Sequence, residues 1–97
     1  MTSIQAYYCG DGYRIAAHGH ATGSLEACSG ISAILYALAG WLKGSGLRYE
    51  VCLSSGAAMI AFQEDEGART AMDFATIGLA QIANTEPETS EITVTRE

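Results

Sequence analysis

Positive charge is scarce in this chain: five Lys and Arg stand against eleven Asp and Glu, giving a formal net charge of −6 and a pI near 4.7. A surface that grips phosphate needs clustered Lys and Arg, so nucleic acid is excluded as a partner. An anionic membrane surface is disfavoured for the same reason. Cysteine is sparse and scattered. Cys9, Cys28 and Cys52 form no CxxC pair, which removes the signature of a thioredoxin-type motif and of a zinc ribbon. The opening residues MTSIQAYYCGDG lack a basic segment followed by an apolar run, so no signal peptide is expected, and an odd number of thiols then fits a reducing cytoplasm. Long apolar runs are missing too. GISAILYALAGWL, at 30–42, meets Lys43 after 13 residues, short of the roughly 20 that cross a bilayer.

What remains is an ordinary globular composition, 48% hydrophobic and 16% charged, expected to form a single domain over 1–97 with no need of a disulfide or metal staple. SIQAYY at 3–8 reads as a strand, and CGDG at 9–12 as a turn, with Asp-Gly the strongest hairpin signal in the chain. YRIAAHGH at 13–20 alternates: Tyr13, Ile15 and Ala17 face one way, Arg14, Ala16, His18 and His20 the other. A loop spans 21–27. From Cys28 the period changes, and Ile31, Ile34, Leu35, Leu38 and Leu42 mark one face of a helix ending near Lys43. GSG at 44–46 stops it. RYEVCL at 48–53 and AAMIAF at 57–62 form a second hairpin about SSG.

EDEG at 64–67 places acids where a helix start favours negative charge. The second helix, 68–84, carries a stripe of Met72, Ala75, Leu79 and Ile82, while Phe74 and Ile77 lie off it. So wide an apolar face suggests burial by a second subunit. Pro87 ends this region, and EITV at 91–94 suits a last short strand. The fold class expected is α+β: two layers, a mainly antiparallel sheet with two helices, in the order ββαββα(β).

The chemistry sits in HGHATGSLEAC, 18–28. Cys28 falls at the start of its helix, where unpaired N–H groups and the positive end of the dipole favour a thiolate nucleophile. His20 ends the strand before it, close enough in sequence for the loop to bring an imidazole to the sulfur as general base and then acid. Free N–H groups around 28–30 would receive an oxyanion, and Gly19, Gly23 and Gly30 would let a substrate backbone approach. The bland alternative is a cysteine that serves as a small buried hydrophobe, which is the expectation for Cys9 and Cys52 and an equal competitor for Cys28. His18 is assigned a supporting or surface role. His18, His20 and Cys28 make too thin a set for a metal, so neither metal nor cofactor is expected. Glu64, Asp65 and Glu66 read as helix-start and solvated charges.

GHA at 19–21, ACSGISAILYALAG at 27–40 and IGLAQIA at 77–83 resemble the ribosomal-processing cysteine protease family, Prp, including its phage-encoded members. The resemblance implies a cytoplasmic, homodimeric Cys/His endopeptidase. Its protein substrate would be a large-subunit ribosomal protein, trimmed of a short N-terminal extension, or a phage capsid or scaffold protein. It also implies Cys28 as nucleophile and His20 as its base, with Ser32, one helical turn on, and Gly19 in support. Two departures stand out. The 21–27 loop, ATGSLEA, is short for the family, which favours a phage-type member. The acid expected three residues before the cysteine is replaced by Leu25, leaving Glu26 either to orient His20 or merely to favour the helix start. These departures feed the alternative of a non-catalytic dimeric accessory protein that binds a phage structural protein. A redox-sensing thiol is a third reading and would need a resolving cysteine near Cys28.

Overall fold

The computed structural model describes residues 1–19, 25–54 and 56–97. The elements run β1 (Thr2–Tyr8), β2 (Gly12–His18), α1 (Leu25–Lys43), β3 (Tyr49–Ser54), β4 (Ala57–Gln63), α2 (Glu66–Thr85) and β5 (Ser90–Arg96). The five strands form one sheet in the order β3-β4-β2-β1-β5, antiparallel except for β1 with β5. Both helices pack on one face, α1 over β4 and α2 over β5, so the expected two-layer α+β order ββαββαβ is what forms.

The strand alternation follows the sequence. Tyr13, Ile15 and Ala17 are buried under the helices, while Arg14 and His18 lie exposed on the uncovered face. The register stacks core-facing residues in rungs: Tyr8, Tyr13, Phe62 and Tyr49 at one end; Ala6, Ile15, Ile60 and Val51 in the middle; Ile4, Ala17, Ala58 and Leu53 toward the other. Against them α1 turns Ile31, Leu35, Leu38 and Leu42, and α2 turns Met72, Ala75 and Leu79. Asp65 caps α2, its carboxylate accepting the Ala68 N–H at 2.7 Å, so the acidic run holds a defined cap.

Several boundaries differ from the sequence-based expectation. β2 ends at His18, because Gly19 takes a φ of 87° that an extended strand cannot continue. β5 is seven residues long and pairs in parallel with β1. α1 begins at Leu25, three residues before Cys28, and reaches 19 residues, long and apolar enough by composition to cross a bilayer. Its Ile31, Leu35, Leu38 and Leu42 are spent on the core instead. Gly30 faces α2: a Cβ there would sit 2.9 Å from Ile82 Cδ1, as one on Gly78 would from Ile34 Cδ1. The two glycines therefore let the helices close on each other, and Gly30 does not open a path for substrate.

Candidate active site

Cys28 is the fourth residue of α1 and is exposed. Ser32 is exposed one turn further on, as the i, i+4 spacing requires. Both border a groove of about 390 Å³ at the N-terminal end of α1. Along the α1 side the groove meets the buried Ile31 and Leu35, with the largely exposed Tyr36 at its rim. Across from them stand Leu53 and Ser54 of β3 and the turn into β4. The rest of the lining is small: Thr2, Ala17, Gly19, Gly56, Ala57 and Ala58. No charged side chain borders the groove among the described residues.

Local backbone bonding builds the groove's end. Ser54 and Ala57 pair as the last rung between β3 and β4, with Gly56 at φ 77° and the Ser54 hydroxyl donating to the Ala57 carbonyl at 2.9 Å. Gly19 N–H donates to the Gly56 carbonyl at 2.8 Å, tying the exit of β2 to the entry of β4. Only glycine fits at 19, since a Cβ would collide with the Met1 carbonyl as well as meet the positive φ. Gly19 is thus a fixed corner of the groove, which Cys28 and Ser32 also border.

Other expectations fare differently. His20 and Gly23 lie outside the described residues. Glu26 is exposed in the first turn of α1, where an acid suits the dipole, and does not border the groove. Because α1 starts at Leu25, the i→i−4 ladder takes the N–H groups of Ser29 and Gly30, so these cannot be the oxyanion donors expected at 28–30. Neither the Cys28 thiol nor the Ser32 hydroxyl has a hydrogen bond to a described residue. Cys52 is exposed, contrary to the buried hydrophobe expected, because β3 sets it on the uncovered face of the sheet. That face is opposite the helix carrying Cys28. Cys9 is half-buried just past β1, and desolvation, together with the carboxylates of Glu97 and Asp11, pushes its thiol above the usual range. No group of three or more metal-ligating side chains assembles among the described residues.

Sequence reasoning missed the far wall of the groove. The signal was present: Ala17 and Ala58 occupy core-facing strand positions where neighbouring rungs carry Ile or aromatic residues.

A second hollow, about 540 Å³, runs between α1 and α2 on the side away from the sheet, beside Trp41, Gly67, Ala71 and Gly78. Next to it Phe74 is 82% exposed and Ile77 62%.

No family model matches this sequence, and no curated protein matches it. Solved structures do. The essential ribosomal processing protease Prp from S. aureus, in complex with a covalently linked product peptide, superposes with a TM-score of 0.82 at 18% identity, over 97% of this chain and 99% of that one. The same protease with a substrate peptide gives 0.76 at 15% identity, over 97% and 99%. SMU.848 from Streptococcus mutans gives 0.77 at 15% identity, over 100% of this chain and 96% of that one. From its first strand to its last, this chain has the fold of the ribosomal processing protease Prp.

Proposed function

We propose that this chain is a cytoplasmic thiol endopeptidase that cuts a protein substrate within an extended segment, with Cys28 as nucleophile and His20 as general base. The observation that carries this reading is the exposed Cys28 at the lip of a groove that no charged side chain borders among the described residues, in a fold shared end to end with a protease captured with its product peptide. The Cys28 sulfur attacks the scissile carbonyl carbon as its proton passes to the His20 imidazole. The C–N bond then breaks as the imidazolium gives that proton to the leaving amine. A water deprotonated by the same imidazole hydrolyses the thioester, releasing the acid and restoring the thiol. Ser32 offers an O–H to the substrate from the same helix face. Neither metal nor cofactor has a step in this cycle.

The favoured substrate is a ribosomal protein, as the name of the S. aureus ribosomal processing protease suggests; the sequence resemblance narrows it to a large-subunit protein carrying a short N-terminal extension. A phage capsid or scaffold protein is the second candidate, favoured by the six residues, 19–24, that join β2 to α1. The working unit is a homodimer closed over the outer face of the helices, where Phe74 and Ile77 stand in water in the isolated chain.

The test is to incubate wild-type, Cys28→Ala and His20→Ala chains with each candidate protein and read the products by mass spectrometry. One internal cut by wild type, slowed about 10³-fold or more in both variants, is expected. Undiminished cutting by Cys28→Ala would end the reading. Tight binding without any cut by wild type would replace it with the accessory-protein alternative.

A further inference from the structure

The hydrogen-bonding phase of β3 can be read from one bond. Gln63 N–H donates to the Arg48 carbonyl at 3.1 Å, just before β3 begins. Opposite residues in an antiparallel pair alternate between exchanging both backbone bonds and exchanging none. The register then carries the bonded phase through Glu50↔Ala61, Cys52↔Met59 and Ser54↔Ala57. Tyr49, Val51 and Leu53 therefore turn their N–H and C=O groups away from β4. Among the described residues β3 is the last strand of the sheet on that side, so these groups line its edge.

Three further observations tie this edge to Cys28. The side chains of Val51 and Leu53 lie on the helix-covered face and pack against the core. Leu53 and Ser54 border the groove that holds Cys28 and Ser32. α1, which carries the thiol, is the helix on the β4 side of the sheet, next to this edge. The edge also lacks the usual guards. It has no proline, and its one charged residue is Glu50.

We propose that this edge of β3 receives the substrate as a sixth strand. The extended segment bonds its backbone to Tyr49, Val51 and Leu53, and every second side chain turns toward the helix layer, into the groove beside Cys28. Main-chain bonds supply affinity along the strand, and the groove between Leu53 and Tyr36 reads the alternate side chains. This deepens the thiol-protease reading and rests on it.

The test compares two reagents on Cys28, with the modified residue located by peptide mapping. Iodoacetamide reads the thiol alone. A mixed-sequence hexapeptidyl chloromethyl ketone reads the thiol plus peptide docking. Val51→Pro removes an N–H that points out from the sheet, a place where an edge strand accepts proline. The expected result is a rate with the peptidyl reagent lowered about tenfold, the loss of one or two backbone hydrogen bonds, with the iodoacetamide rate held. Reagents N-methylated at the P2 or at the P3 amide repeat the test without altering the protein, and one phase should lose about tenfold while the other keeps its rate. Equal rates for both phases, or an unchanged peptidyl rate in folded Val51→Pro, would overturn strand addition and leave Cys28 as nucleophile. Inertness of Cys28 to both reagents in the wild type would overturn the protease reading and strand addition with it. A dimer that becomes monomeric in Val51→Pro on sedimentation would assign the edge to a second copy of the chain and overturn the proposal.

Discussion

Two rungs of the same sheet make opposite use of their core-facing positions. At one end Tyr8 meets Tyr13 edge-on at 5.5 Å, and Tyr13 meets Phe62 at 5.5 Å. Their hydroxyls are committed: Tyr8 donates to Asp73 at 2.8 Å, and Tyr13 donates to Glu64 at 3.2 Å while accepting from Arg69 Nε at 3.3 Å. Arg96 stacks on the Tyr8 ring at 4.1 Å. Toward the other end the same positions hold Ile4, Ala17, Ala58 and Leu53, and the space that the alanines leave is the groove under Cys28. One end closes the core with large, bonded side chains. The other is left open, and its thiol and hydroxyl have no partner among the described residues. On the proposed function, stability and catalysis would be separated along the strands.

The sharpest way to break that separation is to truncate one residue at each end. Tyr13→Ala removes a 5%-exposed aromatic side chain and should cost about 3–5 kcal/mol in urea unfolding, in line with large-to-small changes in cores. Cys28→Ala, on an exposed helix position, should stay within about 0.5 kcal/mol of wild type. A Cys28→Ala chain destabilised by more than about 1.5 kcal/mol would mean that the groove end is structural after all.

Tyr8 gives the comparison a pH axis. Burial raises its phenol above the ordinary value of 10.0, and the Asp73 carboxylate adds to this, against opposing effects of Thr76 and Arg96. The unfolded chain thus loses this proton at lower pH than the folded one. The stabilisation is complete below the unfolded value and drains away as pH rises through the folded value. Tyr8→Phe should cost about 1 kcal/mol at neutral pH, through the lost hydrogen bonds, and should flatten the alkaline decline seen in wild-type unfolding. A wild-type midpoint that does not fall above about pH 10 would contradict this account.

Most of the core was legible in the sequence, because periodicity carries it. Alternation placed Tyr13, Ile15 and Ala17 in the core, and the 3–4 spacing placed Leu35 and Leu79 there. The open end was legible only as residue types. Cys28 and Ser32 share a helix face by spacing alone, and the structure puts both on the groove. The helix start was misplaced because LEA before Cys28 carries no stop signal and Leu25 is 79% exposed, outside the apolar stripe. That error moved the supposed oxyanion donors. Gly30 was misread because nothing in a single helix shows which residue of another helix will lie against it. The small residues Ala17 and Ala58 were a local sign of the groove, but the parallel pairing of β5 and the placing of Leu53 and Ser54 across from α1 are long-range contacts that no local pattern shows.

A substitution in the groove wall separates a small cost in stability from a large expected loss of cleavage. Ala58 lies on the core-facing side of β4 but borders the groove, so a longer side chain there has open space to enter. In a closed core, added methylenes force strain of about 1–3 kcal/mol. Ala58→Leu should cost less than about 1 kcal/mol, because about 390 Å³ of groove is available beside it. The same leucine fills the space that a substrate side chain would need next to Cys28. Cleavage of the protein substrate should therefore fall much more than stability does, while iodoacetamide still reaches the exposed thiol. A destabilised but fully active Ala58→Leu chain would show the reverse: a groove that belongs to the core, and a substrate that approaches Cys28 from elsewhere.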